Sequence, residues 1–443
     1  MNRTADWAML LAPHIERRTE LSPTLRINEK VRAMWADGQE VYHLGFGESR
    51  FPVHPKLAQA LRENVHRKSY VAAQGIPELR EAVAAFYTKH FHLPTSPDRV
   101  MVGPGSKALL YTLLTVLQGD LLLPTPSWVS YEPQARILGK PVRRIPSSPQ
   151  EGHALKIQAL AHTVATSEQE QHILLLNSPN NPTGQMMGPE LVNELARFCR
   201  QERVTVISDE IYGLAGHGEV LHHSMARAFP EGTVVLGSLS KHLSLGGWRL
   251  GVAVVPEGRA GQQLIQAMRM VAGEIWSCVA APIQYAAVTA YGDDPEILAY
   301  IQECTQIHAL RTRYLWEQLT ALGIRCSRPQ GGFYLFINLD RWEPQLAARG
   351  IRTSTQLAEH LLEHYRLATL PGEAFGAPAP EMSLRLSTSY LDMESDEQAL
   401  ALLELFRSGM DPQRILRERH PKMNQAIEQF RRFVLDLDGP PLP

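Results

Sequence analysis

One lysine sits directly after a strand-like apolar run in the segment Thr233-Val234-Val235-Leu236-Gly237-Ser238-Leu239-Ser240-Lys241-His242-Leu243-Ser244-Leu245-Gly246-Gly247-Trp248-Arg249-Leu250-Gly251. A lysine held at the end of a strand can form an imine with an aldehyde. The rotatable hydroxyl of Ser238 and the forked donors of Arg249 suit a dianionic phosphate. Imine and phosphate site together point to pyridoxal phosphate. A surface lysine in a flexible loop would share this local sequence, so the reading depends on what the rest of the chain places nearby.

Polar clusters follow other apolar runs in the same way. Val100-Met101-Val102 leads into Gly103-Pro104-Gly105-Ser106 and a helix through Leu117; Leu121-Leu122-Leu123 ends at Pro124. Ile173 to Leu176 ends at Asn177, and Val204 to Ile207 ends at Ser208-Asp209. Short apolar strands alternating with helices, such as an amphipathic one over Pro77–Phe91, predict an α/β domain with a largely parallel sheet. In such a sheet ligands bind beyond the carboxyl ends of the strands, where these clusters lie. A smaller α+β block is expected from Gly323, with a strand in Gly331–Asn338, a helix over Thr355–Tyr365 and a strand over Ser383–Ser387. A helical, partly charged lead segment runs from Ala5 to about Val41. The tail from Asp411, rich in arginine, reads as a solvated surface helix. The expected division is 1–45 packing with the small domain, 46–322 large domain, 323–410 small domain, and 411–443 helical tail.

Composition narrows the function classes. The formal net charge is −2 from 44 basic and 46 acidic residues, which gives no electrostatic reason to expect nucleic acid or a membrane surface as partner. The apolar runs fall short of the roughly 20 residues needed to span a bilayer, and charges recur before any run could serve as a signal sequence. The four cysteines show no CxxC pair and no metal-ligand spacing, as expected of reduced thiols in a cytoplasmic protein that binds no metal.

From about Leu21 to about Leu405 the chain resembles the class I/II aminotransferases, the fold type I pyridoxal phosphate enzymes of the aspartate aminotransferase kind. The resemblance is carried by Tyr70 with Gly75-Ile76-Pro77-Glu78-Leu79-Arg80, by Pro126-Ser127-Trp128-Val129-Ser130-Tyr131 and by Asn177-Ser178-Pro179-Asn180-Asn181-Pro182-Thr183-Gly184. Ser208-Asp209-Glu210-Ile211-Tyr212, the Lys241 segment and Arg385-Leu386-Ser387 complete it. It implies amino-group transfer from an amino acid to a 2-oxo acid. A second outcome uses the same carbanion for elimination, substitution, decarboxylation or condensation. A non-catalytic regulator would need a basic DNA-reading module before the fold, and the fold begins too early for one.

The resemblance also implies roles. Lys241 would hold the cofactor as an imine and then move the Cα proton. Asp209 would keep the pyridine nitrogen protonated, and Trp128 would stack on the ring. Asn181 and Tyr212 would donate to its phenolic oxygen, although Asn181 equally suits a turn. Gly105, Ser106, Lys107, Ser238 and Arg249 would hold the phosphate, with Tyr70 reaching it from a neighbouring subunit of a homodimer. Arg385, with Gly47 and Asn181, would bind the substrate carboxylate. The family's Gly-Glu-Pro-Asp-Phe is here Gly47-Glu48-Ser49-Arg50-Phe51, so Arg50 either binds a distal acid group of the substrate or faces solvent.

Overall fold

The computed structural model describes residues 23–218 and 221–439. Seven strands form the main sheet, in the spatial order Val100–Gly103, Gly251–Val254, Thr233–Ser238, Thr205–Asp209, His172–Asn177, Asp120–Pro124 and Val142–Ile145. Gly251–Val254 runs antiparallel to both its neighbours, and the other pairings are parallel. Helices cover both faces, so the central strands are apolar throughout: every residue of Thr233–Ser238 is buried. Register brings Asn177 opposite Asp209 and Asp209 opposite Leu236, which gathers the polar strand ends at one rim of the sheet.

The strands expected from sequence all form, as does the amphipathic helix, at Pro77–His90 with Leu79, Val83, Phe86 and Tyr87 buried. A second, antiparallel sheet joins Leu370–Pro371, Ser383–Ser387, Tyr334–Asn338 and Arg325–Cys326. Ser354–Tyr365 packs beside it, started by the Thr353 hydroxyl accepting from Gln356 N. The helix Pro295–Ala321 links the two cores. Asp294 caps its first turn by accepting from the Glu296 and Ile297 amides; Ile301 and Ile307 pack in the large core, Leu315 and Leu319 in the small one.

At the N-terminus, the helix Pro23–Ala36 buries Val31 and Met34 against Leu362 and Ala368, and the part of the expected lead helix before Pro23 lies outside the described residues. The C-terminal tail corrects a sequence expectation. The helix Pro421–Asp438 is not a solvated surface helix, because Met423, Ile427, Phe430, Phe433, Val434 and Leu437 are buried in the small core. Its arginines occupy the opposite, wet face. Among the described residues no helix is long and apolar enough to cross a membrane, and no group of His, Cys, Asp or Glu could hold a metal ion.

Candidate active site

A cavity of about 280 Å³ opens at the carboxyl rim of the main sheet, and its wall includes Gly47, Lys107, Trp128, Asn181, Asp209, Tyr212, Lys241 and Arg385. Sequence-distant segments thus converge on one space. Lys241 follows the strand Thr233–Ser238 at the start of a turn, and its Nζ donates to the Gly47 carbonyl at 2.7 Å. Asp209 ends the neighbouring strand and is buried. The Tyr131 hydroxyl donates to its Oδ2 at 2.7 Å and the Ile211 amide to its Oδ1 at 3.3 Å. Burial nevertheless dominates and pushes its pKa up to about 6, against the opposing pull of those two hydrogen bonds. A buried carboxylate in this state gains from a cationic N–H partner.

Tyr212 and Tyr334 meet hydroxyl to hydroxyl at 2.8 Å, and Tyr334 also donates to the Gly47 carbonyl at 3.2 Å. Burial, reinforced by Tyr334, holds the Tyr212 hydroxyl well above its ordinary pKa, so it is a neutral donor. The side-chain Oδ1 of Asn181 is buried without a hydrogen-bond partner, while the Asn181 backbone N–H donates to Asn177 Oδ1 at 2.8 Å. An orphaned polar atom on a cavity wall is a place for a ligand.

Arg385, in the strand Ser383–Ser387, is 3% exposed. One Nη donates to the Gly45 carbonyl, and the guanidinium carbon lies 5.0 Å from the centre of the Tyr334 ring and 5.4 Å from that of Phe375. Its Nε has no partner. Gly47 must be glycine: a Cβ there would lie 2.5 Å from the Tyr334 hydroxyl oxygen.

The anion cradle lies at the start of the helix Ser106–Val116, whose N-cap Gly105 offers no side chain to the free N–H groups. Gly105 has φ 86°, and a Cβ on it would lie 2.3 Å from Arg249 Nη2, so the guanidinium packs directly on the turn. Ser238 is buried and off the cavity wall, its hydroxyl donating to the Leu250 carbonyl at 2.9 Å and 2.7 Å from Ser240 Oγ. The Lys107 Nζ sits 4.8 Å from the centre of the Trp128 ring, on the cavity wall. Burial first, then Arg249 and Lys241, lower its pKa. Among the described residues no carboxylate lies within ion-pair distance of Lys107, Lys241 or Arg385; Asp209 is the one acidic residue on the wall they share.

Gly105, Ser238 and Arg249 flank the cavity without lining it, and Arg50 and Tyr70 stand apart from it altogether. Arg50 is absent from the cavity wall; its Nη2 donates to the Glu394 carbonyl at 2.8 Å, its Nη1 is 3.6 Å from Glu48, and it lies over the Tyr390 ring. A guanidinium engaged in this way is neither free in solvent nor aimed at a distal acid group. Tyr70 is 89% exposed and contributes nothing to the cavity of its own chain. Conversely, Tyr131 and Tyr334 touch the site residues directly and were not singled out from sequence. Tyr131 ends the quoted Pro126–Tyr131 motif, and Tyr334 follows the glycine pair Gly331-Gly332, so position alone gave each a signal.

The family model for aminotransferase class I and II matches residues 39–403. The chain belongs to that family. Over 379 residues it is 33% identical to the aspartate aminotransferase of Geobacillus stearothermophilus, covering 84% of this chain and 93% of the relative. The probable aspartate/prephenate aminotransferase of Aquifex aeolicus is 31% identical over 377 residues, covering 83% of this chain and 91% of the relative. The fold superimposes on the Thermus thermophilus aspartate aminotransferase solved with maleate, with a TM-score of 0.77 at 28% identity over 90% of this chain and 100% of that one. This enzyme is therefore a fold type I aminotransferase that moves an amino group between an amino acid and a 2-oxo acid, and nothing in these likenesses favours the elimination or regulatory alternatives. The family implies pyridoxal phosphate, and the residues present fit it: an amine, a buried carboxylate and an uncapped helix start beside an arginine.

Proposed function

We propose that this aminotransferase uses the Lys241 cavity for pyridoxal phosphate and takes a dicarboxylic amino acid of the aspartate type as donor. Bound there, the cofactor would supply an aldehyde to bond the amine and a protonated ring to accept electrons from the substrate Cα. Lys241 Nζ would bond the aldehyde and, once released by the incoming amine, move the proton at the substrate Cα. Asp209 would hold the proton on the ring nitrogen. Asn181 and Tyr212 would donate to the phenolic oxygen, and Trp128 would pack on the ring face. Gly105, Ser106, Ser238 and Arg249 would bind the phosphate, with Tyr70 from the partner of a homodimer.

On the substrate side, Arg385 would grip the α-carboxylate beside Gly47 and Asn181. The observation that carries the dicarboxylate reading is Lys107, a basic side chain on the wall in addition to Lys241 and Arg385, held over Trp128. Burial is the main cause of the lowered Lys107 pKa, and a distal carboxylate would offset both that burial and the smaller repulsion from Arg249 and Lys241. The relatives' names point the same way, since those compared above are aspartate or aspartate/prephenate aminotransferases. The Cys199 and Cys304 thiols, free and buried, fit the reduced cytoplasm.

The test is a panel. Purified yellow holoenzyme is mixed with single amino acids while loss of the visible band and formation of pyridoxamine phosphate are followed. Borohydride reduction and mass spectrometry then locate the cofactor. Aspartate and glutamate should react fastest and the label should sit on Lys241. Label on another lysine, or equal rates for acidic and neutral amino acids, overturns the reading.

A further inference from the structure

Outside the cavity, a buried polar cluster ties the Lys241 turn to the Gly47 loop. Ser49 Oγ lies 2.6 Å from Ser244 Oγ and 2.9 Å from His308 Nε2. Ser49 and His308 are 3% and 5% exposed and Ser244 is half-buried, so the Ser49 hydroxyl is satisfied by protein groups rather than water, while His308 Nδ1 is left without a partner. They come from three separate segments: Ser49 from the loop that holds the Gly47 carbonyl, Ser244 from the turn that begins with Lys241, and His308 from the long helix Pro295–Ala321.

Ser244 has φ 57°, a left-handed conformation that residues with a Cβ avoid, and the Ser49 contact falls on this residue. A second route reaches the lysine through Phe333, whose ring centre is 4.8 Å from that of His308 and 5.6 Å from Lys241 Nζ. Lys241 Nζ in turn donates to Gly47 O, two residues before Ser49. A shift of Ser49 would therefore move both the lysine's turn and its acceptor. Burial first, then Arg311, His217 and Lys241, hold the His308 pKa well below its ordinary value, so the imidazole is neutral and joins the cluster as a hydrogen-bonding group rather than a charge.

We propose that Ser49, Ser244 and His308 are positioning residues that fix the direction of Lys241 Nζ relative to the Gly47 carbonyl and the cavity. The proposal rests on Lys241 being the residue that bonds the cofactor. Loss of one buried hydrogen bond from the cluster should lower kcat roughly tenfold, the effect of misaligning a proton-moving amine by one hydrogen bond's worth of free energy, and leave KM within about twofold.

The test uses holoenzyme of Ser49→Ala, Ser244→Ala, Ser244→Gly, His308→Phe, His308→Gln and the double variant S244A/H308F. Visible circular dichroism reports how rigidly the cofactor is held, alongside kcat, KM and the thermal midpoint. Ser49→Ala, Ser244→Ala and His308→Phe should lower both kcat and the visible signal. His308→Gln, which keeps a neutral side-chain donor and acceptor, should restore most of each. Ser244→Gly keeps the backbone conformation without the hydroxyl and should stay impaired. The double variant should be no worse than its worse single, because the three act as one unit.

Unchanged kcat and dichroism in folded Ser49→Ala, recovery in Ser244→Gly, additive losses in the double variant, or losses confined to KM would each overturn the proposal. Lys241→Ala separates the two levels. If it keeps the visible band, the assignment of Lys241 itself fails. If it loses the band while the cluster variants behave as wild type, the positioning role alone fails.

Discussion

Replacing Asp209 with asparagine should stabilise the cofactor-free protein while weakening its hold on the cofactor. The buried carboxyl keeps its proton to about pH 6 instead of 3.8 because burial outweighs the Tyr131 and Ile211 hydrogen bonds. Each pKa unit corresponds to about 1.4 kcal/mol, so above that pH the ionised group costs the fold about 3 kcal/mol. Below about pH 4 the group is protonated in both states and the cost vanishes. Between about pH 4 and 6 the folded chain binds more protons than the unfolded one, and stability falls as pH rises. Asparagine removes this dependence, but its amide oxygen can accept from only one of the two donors, an offset of about 1 kcal/mol.

The net advantage of the variant should thus be about 2 kcal/mol at neutral pH and reverse slightly near pH 4. Urea unfolding of cofactor-free wild type and Asp209→Asn between pH 4 and 8 measures it. With cofactor bound the order should invert, since asparagine cannot hold the ring nitrogen's proton, and the rate of the half-reaction should fall by orders of magnitude. A stability difference that does not change with pH, or a wild type that gains stability through this window relative to the variant, refutes the electrostatic account of the site.

Arg385→Ala should weaken every amino acid substrate, by roughly 1.5–3 kcal/mol for each charge-assisted hydrogen bond lost, read as kcat/KM across a panel. Lys107→Gln should penalise aspartate and glutamate about tenfold or more and spare neutral substrates, while Arg50→Ala should not discriminate between them; the ratio of kcat/KM values decides. Mixing Lys241→Ala protomers with Tyr70→Phe protomers, if each is inactive alone, should regenerate activity in the heterodimer, where one of the two sites has both residues intact. Failure to complement in a verified heterodimer would place both groups in one subunit.

The parallel strands were legible because they are buried on both faces, which leaves them as short uninterrupted apolar runs that stop at polar residues. The same punctuation marked Asp209 and Lys241, since chemistry at a sheet rim is chemistry at strand ends. Contacts between side chains far apart in sequence were not legible. Nothing about Tyr131 shows that its hydroxyl reaches Asp209, 78 residues on, until the register of the sheet and the helix Tyr131–Ile137 is known. Arg50 shows the converse: its charge suggested a ligand, but a backbone carbonyl of residue 394 and the Tyr390 ring claim the guanidinium first.

The tail differs from its sequence expectation for another reason. Its arginines drew attention to charge, while Met423, Ile427, Phe430, Val434 and Leu437 recur at alternating spacings of four and three, the period of one buried helix face. That face completes the small core, and Asp392 fixes the helix start by accepting from the Lys422 and Met423 amides. Lys422 also pairs with Glu394, whose backbone carbonyl holds Arg50. The tail lies beyond the segment matched by the family model. It is nonetheless joined, through Glu394 and Arg50, to the loop that carries Ser49 and the Gly47 acceptor of Lys241. In that loop, Arg50 binds outward to the Glu394 carbonyl, whose side chain pairs with Lys422 of the tail, and Ser49 binds inward to the lysine turn. The two side chains therefore act on one structural element from opposite sides.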